Sequence, residues 1–318
     1  MRWAISGCRN ALRKRHVWLG IAAAALSMGA LPGAADIASG GLAAQTLSWS
    51  YASFQAERLG GNVTADVRIA TLPVAAEQAA FMPSPKGEPS RVSGPDVVKL
   101  SIHIRIDIIG RGPLEVENHI WFDPGDGTPL FLVRTRSGLD DYYQQFRFTR
   151  EGVFRRQREP ASAAEAARPP ESWTKRGENF YAFPPAETNC RPVLETSTMI
   201  YLLSASAAME THVTGPLCVF HKRQFHRVSF QAALEEPVGF DYLEKKGRGE
   251  TRRAGTAPAR VLRIESRPIG SYRGQVEDFF RDGTLLALSL DGSLPLMASC
   301  EIPLIGRVEM KLKEIHLK

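Results

Sequence analysis

Histidine pairs are the first residues to consider, because two imidazoles on one surface can bind a transition metal. The closest histidines are His221 and His226, five positions apart among the apolar residues of a predicted strand over 219–230. Odd spacing in a strand sends two side chains to opposite faces. We therefore expect two ordinary surface histidines and no shared metal ion, unless a turn at Lys222–Arg223 folds the segment back on itself.

Acidic residues are the next candidates for chemistry. Residues 123–127 read Asp-Pro-Gly-Asp-Gly, superficially like a calcium loop, but they lack the bidentate Glu that such a loop needs several residues later. A β-turn is favoured instead. The pairs Asp140–Asp141 and Glu277–Asp278 are of a kind common at turns and strand ends, so they do not indicate a general acid and base.

Motifs for nucleophilic and nucleotide chemistry are absent from the sequence. Ser271 follows Gly270 directly, one position too early for a G-x-S-x-G nucleophile elbow, and there is neither a P-loop nor a G-x-G-x-x-G phosphate cradle. We predict no catalytic residue, no cofactor and no metal site. A non-enzymatic protein is favoured over an enzyme.

Two basic clusters are the last candidates. They are expected in loops, where they either contact anionic headgroups or lipopolysaccharide phosphates or simply keep the loop soluble, and the second interpretation is favoured. Their members are Arg155, Arg156 and Arg158 in the first cluster, and Lys245, Lys246, Arg248, Arg252 and Arg253 in the second.

The N-terminus predicts export. Residues 1–35 contain five Lys and Arg residues and no acidic residue. All five bases come before an apolar run that ends near Leu31. This run has about 15 strongly apolar residues, fewer than the roughly 20 that a spanning helix needs, so a cleaved signal peptide is favoured over a membrane anchor. We predict cleavage after Ala35 or Ala44, a periplasmic location, and no stable transmembrane anchor afterwards.

Removal of this segment changes the charge balance. The full chain has 40 Lys and Arg against 34 Asp and Glu, and loss of the five N-terminal bases leaves 35 against 34. Proteins that bind nucleic acid usually concentrate positive charge on one face. The apparent basicity is mostly a targeting signal, so nucleic acid is excluded as a partner.

Three cysteines remain after cleavage: Cys190, Cys218 and Cys300. In an oxidising compartment we expect a Cys190–Cys218 disulfide, although connectivity does not follow from sequence and one cysteine must stay unpaired. The chain has no CxxC motif, so a thioredoxin-like site or a zinc knuckle has no support.

Hydrophobic periodicity predicts a mainly β protein. In residues 98–108 every second residue is aliphatic, which places Val98, Leu100, Ile102, Ile104 and Ile106 on one face of a long strand. Weaker alternation predicts strands at 47–54, 63–69, 114–122, 130–136, 142–148, 219–230, 261–266, 285–290 and 308–315. Glycine-rich turns join neighbouring strands directly, which indicates an antiparallel meander.

One helix interrupts this pattern, near 191–206, with Pro192 in its first turn. The resulting prediction is a single β-rich domain over 45–318 that forms a curved antiparallel sheet or a half-open β-barrel. Loop insertions are expected near 83–97, 155–172 and 244–257, which are rich in Pro, Gly, Ala or charge.

The order of these features resembles an uncharacterised bacterial envelope family, domain of unknown function 3108. The resemblance rests on the opening strand with residues 54–67, the helix at 193–203, the paired strands over 217–242, and the closing hairpins over 283–308. The long loops at 83–97 and 155–172, and the Thr-Ser-Thr stretch at 196–198, depart from the family pattern. The resemblance implies a curved sheet similar to that of periplasmic lipid carriers, and it implies no catalytic residues.

Two function classes follow. The first is a periplasmic binding module whose aliphatic face at Val98, Leu100, Ile102, Ile104 and Ile106 holds an apolar or lipid-like ligand, with the helix as a lid. The second is an envelope structural or assembly factor, in which the same face is core and the loops bind a protein partner. An envelope hydrolase with an unrecognised site is a third alternative.

Overall fold

The computed structural model describes residues 47–58, 61–110, 112–138, 140–185, 192–208, 216–221, 223–270, 284–290, 294–302 and 306–318. All of them belong to the unit Ala35–Lys318, the second of two units into which the chain divides. The predicted signal peptide over 1–35, with both cleavage positions, lies outside the described residues. Within the described part of the chain, no helix is long and apolar enough to cross a membrane.

The described chain is mainly β, as predicted. Its helices are α1 Val74–Glu77, α2 Ala163–Ala166 and α3 Thr196–Ala208. Its strands are β1 Trp49–Arg58, β2 Gly61–Pro73, β3 Asp96–Ile108, β4 Leu114–Phe122, β5 Pro129–Ser137, β6 Tyr142–Phe148, β7 Gly152–Glu159, β8 Lys175–Ala182, β9 Val193–Glu195, β10 Leu217–His221, β11 Gln224–Lys246, β12 Gly249–Pro268, β13 Thr284–Ser289, β14 Pro295–Ile302 and β15 Gly306–Leu317.

All the described strands form one curved sheet of 15 strands, in the order β8-β7-β6-β5-β4-β3-β2-β1-β15-β14-β13-β12-β11-β10-β9. The first and last strands of the chain are neighbours in this order, and β8 and β9 are the two edges. The sheet is mixed, because β9–β10 and β11–β15 pair in parallel and the other pairs are antiparallel. The β11–β15 pairing closes β11 to β15 into a ring, so the predicted half-open barrel is loosely supported.

Strand β3 has the alternation that the sequence predicts. It pairs with β2 along its whole length and with β4 over Val98–Ile106, both antiparallel. β-Branched residues such as Val and Ile pack well on a pleated surface, which explains why this segment forms a long central strand. Val98, Leu100 and Ile106 are buried, while Ile102 and Ile104 are partly buried against the same core.

The predicted helix starts later than expected. Residues 193–195 form the short strand β9, which pairs in parallel with β10, and helix α3 begins only at Thr196. The backbone of this apolar segment satisfies its hydrogen bonds with a neighbouring strand before it turns into a helix. Periodicity cannot distinguish a short buried strand from a buried helical turn.

Two of the three predicted loop insertions are wrong in part or entirely. Residues 155–159 belong to β7, and only the rest of 155–172 is a connection, with α2 and a 3-10 turn at Pro170–Ser172. Residues 244–257 form a β-hairpin between β11 and β12, with its turn at Gly247, whose φ is 58°. Cross-strand ion pairs such as Arg252–Asp241 and Arg253–Glu244 hold the charges that suggested a solvated loop.

The third predicted loop, 83–97, is part of a longer connection that covers one face of the sheet, and its last two residues belong to β3. We call residues 74–95, between β2 and β3, the strap. It contains α1, a 3-10 turn at Gln78–Ala80 and an irregular segment up to Pro95. The Val74 amide donates to the Pro95 carbonyl over 2.8 Å, so the two ends of the strap meet.

The strands under the strap are therefore covered on both faces. On one face, Phe122 packs on Tyr201 of α3 at 4.9 Å between ring centres, and Phe146 packs on Phe220 of β10 at 6.0 Å. On the opposite face, a smaller cluster joins Met82 of the strap to residues of the sheet, which are Val97, Trp121, Leu130, Phe131 and Phe154.

Candidate functional site

The aliphatic face of β3 is occupied by the protein's own core. Val98 and Leu100 are 1% and 4% exposed and belong to the cluster that also contains residues of α3 and β10. Neither of the two cavities described below is lined by the five residues predicted to hold a ligand. Ligand binding at Val98, Leu100, Ile102, Ile104 and Ile106 stays a prediction.

His221 and His226 are not surface residues on opposite faces, which corrects the sequence-based expectation. A tight turn joins β10 to β11, and Val219 pairs with His226, so both histidines lie on one face of the hairpin. Their ring centres are 6.2 Å apart, and they are 7% and 3% exposed. No group of three or more His, Cys, Asp or Glu side chains suited to a metal occurs among the described residues.

A buried polar cluster lies where β9 turns into α3. Thr196 Oγ1 is 2.9 Å from His221 Nδ1. The Glu195 carboxylate accepts a hydrogen bond from the Ser197 amide over 2.6 Å and contacts the Arg134 guanidinium at 3.4 Å. Arg134 also donates to Asn118 Oδ1 over 2.9 Å. These contacts join the start of α3 to β4 and β5, which indicates a structural role.

Burial raises the pKa of Glu195, because the charged carboxylate loses water at a site where the residue is 1% exposed. The nearby positive charge of Arg134 and the amide of Ser197 act in the opposite direction but are smaller effects. The cluster therefore contains a carboxylate held in an unfavourable environment by well-placed donors. Neither described cavity is lined by these residues.

The Asp-Pro-Gly-Asp-Gly segment is a turn, as predicted. The Asp123 side chain is buried and accepts hydrogen bonds from Gly125 N over 2.7 Å, Ser93 N over 2.6 Å and Ser93 Oγ over 2.9 Å. All three donors belong to the protein itself. This carboxylate ties the end of the strap to the turn after β4.

The predicted basic clusters are partly neutralised by ion pairs within the protein. Arg156 pairs with Glu178 at 2.8 Å, and Lys245 pairs with Glu314 at 2.7 Å. Arg155 is buried, with its guanidinium 5.8 Å from the centre of the Tyr181 ring. Contact of these clusters with lipid headgroups stays a prediction.

The sheet beneath the strap presents a row of aromatic and cationic side chains. Cross-strand partners point to the same side of a sheet, and successive pairings link one residue from each of six neighbouring strands. We call these residues the aromatic row: Lys99, Trp121, Phe131, Arg147, Phe154 and Phe180. The Trp121 and Phe131 ring centres are 5.5 Å apart, and Lys99 Nζ lies 4.7 Å from the Trp121 ring centre.

Phe81 of the strap packs onto this row. Its ring centre is 5.7 Å from that of Trp121 and 5.3 Å from that of Phe131. Polar contacts hold the strap nearby: Trp121 Nε1 donates to Glu77 over 2.6 Å, and the Glu88 amide donates to Glu151 over 2.8 Å. The strap is thus pinned at several points along its length.

A cavity of about 390 Å³ lies between the strap and the aromatic row. Its volume falls within the range of about 300–1,000 Å³ that is typical of small-molecule sites. Leu130 and Arg147 of the sheet contribute to its lining, and the remaining wall comes from the strap. The strap residues are Val74, Gln78, Phe81, Glu88, Pro89, Ser90, Arg91, Val92 and Gly94.

Arg147 is the most unusual residue of this cavity, because it is a cation that is only 6% exposed. Its Nη1 atom donates to the Leu130 carbonyl over 3.0 Å, and its guanidinium carbon lies 5.0 Å from the centre of the Phe81 ring. Burial lowers the pKa of Arg147, because the charged form loses hydration. The site combines an aromatic surface with a desolvated positive charge.

A second cavity, of about 550 Å³, lies beside β1 and β15 and is more polar. Lys311, Lys313, Glu309 and Arg307 of β15 are exposed there and follow one another at every second position. Exposed alternating charges of both signs are typical of a solvated sheet face. We therefore regard the strap cavity as the candidate site.

Cys218 is disulfide-bonded. The parallel pairing of Cys218 with Val193 brings the chain that follows Cys190 alongside it. Cys190 itself lies outside the described residues, so the Cys190–Cys218 bridge stays a prediction.

Comparison with known proteins returns no relative: no family model, no curated protein and no solved structure matches the chain. The resemblance to the domain of unknown function 3108 family therefore rests on sequence features alone and stays a prediction.

Proposed function

We propose that this protein is a periplasmic, non-enzymatic binding module that holds a small, partly apolar, lipid-like ligand beneath the strap. The observation that supports this function is the cavity of about 390 Å³ between the strap and the aromatic row. Periplasmic location rests on the predicted signal peptide. The site differs from the one proposed on sequence, because the aliphatic face of β3 is already packed by the protein's own core.

The composition of the cavity wall supports an apolar ligand body. Val74, Phe81, Val92 and Leu130 supply hydrocarbon surface to the cavity wall, and the Phe81 ring also packs against Phe131 of the row. Ligand sites are usually apolar concavities with a few well-placed polar groups. Since the strap is held by separate contacts such as Trp121–Glu77 and Ser93–Asp123, it can shape such a site without being part of the sheet.

Native mass spectrometry on protein purified from the periplasm without detergent, followed by lipid extraction, tests this function. We expect a stoichiometric adduct of lipid mass. The Val92→Trp variant places a large side chain in the cavity wall and is expected to remove the adduct, whereas Ile109→Trp alters a residue that is 81% exposed and is expected to keep it.

A bare polypeptide mass, with no uptake of added fatty acid or phospholipid, would contradict the binding function. That result would favour the assembly-factor alternative. An adduct that survives in Val92→Trp would place the ligand elsewhere.

A further inference from the structure

Arg147 has unused hydrogen-bonding capacity. A guanidinium carries five N–H donors, and the structure gives Arg147 one hydrogen bond, from Nη1 to the Leu130 carbonyl. Across the described residues, no carboxylate forms an ion pair with it. Its other contact is the face of the Phe81 ring, at 5.0 Å.

Buried cations in proteins are normally paired, because a charge removed from water is costly unless an opposite charge or several hydrogen bonds compensate. Arg134 follows this rule: its side chain is 11% exposed and it contacts both Glu195 and Asn118. Arg147 is buried, with 6% of the whole residue exposed, whereas Arg134 is half-buried. Even so, Arg147 has no ion-pair partner in the described chain. A missing counter-charge is therefore the property to explain.

The guanidinium lies at the wall of the strap cavity. Its two contacts, Leu130 and Phe81, both line the cavity, as does Arg147 itself. The acidic residue of the lining, Glu88, is already paired with Arg91 at 2.6 Å and with Arg150 at 2.9 Å. The cavity lining thus combines a net positive charge with hydrocarbon from Val74, Val92 and Leu130.

We infer that the ligand of the proposed binding function is an amphipathic anion, whose carboxylate or phosphate binds Arg147 and whose apolar body lies against Phe81, Val92 and Leu130. This inference rests on the proposed function and specifies the ligand class. The planar fork of a guanidinium matches both oxyanions in a bidentate manner. Binding would supply the counter-charge that the described chain lacks.

Isothermal titration of the mature protein with octanoate, octyl phosphate and 1-octanol tests the inference, because the three probes share a chain and differ in the headgroup. We expect at least one of the anions to bind more tightly than the alcohol. The Arg147→Met variant keeps most of the side-chain volume and is expected to weaken anion binding by about 10- to 100-fold, as for the loss of a charge-assisted hydrogen bond. Its affinity for octanol should stay within about twofold.

Two further variants separate the headgroup contact from other effects. Arg147→Lys keeps a charge without the fork and should lose less anion affinity than Arg147→Met. Arg263→Met removes a cation from an exposed position on β12, away from the strap, and should leave all three affinities unchanged. Arg147→Met is also expected to unfold at the same temperature as the wild type or higher, because an unpaired buried charge is replaced by an apolar side chain.

The outcomes distinguish this inference from the binding function. Equal wild-type affinity for octanol and for both anions, or undiminished anion binding in Arg147→Met, overturns the inference while the binding function stands. Failure of all three probes to bind overturns both. Preference for octanoate or for octyl phosphate identifies which oxyanion the site takes.

Discussion

At the scale of single residues, the carboxylate of Glu195 links stability to pH. Burial raises its pKa above the ordinary value of 4.5, so the folded chain holds this proton more tightly than the unfolded chain. Such a group contributes stability fully below the unfolded pKa, and the contribution is lost as pH rises through the folded pKa. The Arg134 contact limits this loss without reversing it.

We predict that Glu195→Gln removes this pH dependence, because the amide stays neutral at every pH. The free energy of unfolding, measured by urea titration from about pH 4 to pH 8, should fall more with rising pH in the wild type than in Glu195→Gln. The Arg134 ion pair forms only when Glu195 is ionised, so its loss in Glu195→Gln is part of the pH-dependent difference between the two proteins. The exposed residue Glu236 supplies the control, since Glu236→Gln should parallel the wild type.

Parallel curves for the wild type and Glu195→Gln would contradict this account of Glu195. A curve that rises with pH only in the wild type would mean that the folded state favours the ionised carboxylate.

Asp123 is the second residue whose role is local and testable. Its carboxylate accepts three hydrogen bonds from Ser93 and Gly125, whereas Asp126 in the same turn accepts one, from the Thr128 amide over 2.8 Å. We predict that Asp123→Ala lowers the free energy of unfolding by about 2–3 kcal/mol, because three hydrogen bonds to a buried, charged acceptor are lost.

The matched variant Asp126→Ala should cost about 0.5 kcal/mol or less, as is usual for surface positions. Equal effects of the two substitutions in urea unfolding would show that Asp123 does not anchor the strap. Calcium should not change either result, since the donors around Asp123 are N–H and O–H groups.

Residue-scale features were only partly predictable from sequence. The spacing of Gly125 and Gly127 was sufficient to predict a turn at 123–127. His221 and His226 were placed on opposite faces because the strand was read as continuous through Lys222, whereas a hairpin turn brings them together. Arg147 alternates with Phe146 and Phe148 like any solvent-facing residue, and only the strap, which is distant in sequence, buries it.

At the scale of elements, the strap is the segment on which the candidate site depends. Gly87 has a φ of 83°, and a Cβ atom added there would lie 2.5 Å from Thr149 Oγ1. The strap backbone therefore approaches the β6–β7 turn too closely for a side chain. Nearby, the Ser90 amide donates to the Phe148 carbonyl over 3.2 Å and the Arg150 amide donates to the Glu88 carbonyl over 2.8 Å.

We predict that Gly87→Ala lifts this part of the strap, since both the positive φ and the contact with Thr149 oppose a methyl group. The left-handed conformation alone costs about 1–2 kcal/mol for a residue with a Cβ atom. Amide hydrogen exchange at Ser90 and Arg150 should accelerate, while exchange in β3 stays unchanged.

Gly94 provides the comparison, because a Cβ atom added there would meet nothing within 4 Å. Gly94→Ala should leave exchange at Ser90 and Arg150 as in the wild type. Unchanged exchange in Gly87→Ala would show that the strap tolerates displacement without losing its contacts with the sheet.

Element-scale prediction succeeded where one face of a strand is apolar and the other polar. Strands β4 and β6 have the predicted bounds. Strand β3 starts two residues before the predicted segment 98–108 and ends where predicted. Strands β7, β8 and β14 were missed, and β9 was predicted as part of the helix. The edge strand β8 shows one reason: its residues are exposed or half-buried, so its sequence carries little apolar alternation. The 244–257 hairpin was missed because its charges pair across the strands.

At the scale of the whole molecule, β15 joins the two halves of the sheet. It pairs with β1 on one side, and with β14 and the far part of β11 on the other. Ile315 lies where β15 contacts both β1 and β11, opposite Ala52 and Glu244, and it is 0% exposed. This arrangement brings the last residues of the chain to the centre of the sheet order.

We predict that Ile315→Ala lowers the free energy of unfolding by about 2–5 kcal/mol, because truncation leaves a cavity in the core. Lys313→Ala, on the exposed side of the same strand, should change it by about 0.5 kcal/mol or less. The unfolding of both variants can be followed by tryptophan fluorescence in proteins that keep only Trp49 or only Trp121. The two tryptophans should report the same single transition. A stable Ile315→Ala protein would mean that β15 does not join the halves of the sheet.

The whole-molecule architecture was predictable only in class. Strand patterns and turn residues were sufficient for a mainly β meander, and the structure confirms that class. The neighbouring positions of β1 and β15, and the choice of which face the strap covers, depend on contacts between residues far apart in sequence. No local pattern carries that information, which is why the ligand was first placed on β3.

The most direct test of the central claim is a crystal structure of the mature protein with 8-bromooctanoate, in which anomalous scattering locates the bromine. We predict density for the carboxylate at the guanidinium of Arg147 and a bromine peak beneath the strap, near Phe81, Val92 or Leu130. An empty strap cavity with bromine bound along β3 or beside Lys311 would contradict the account.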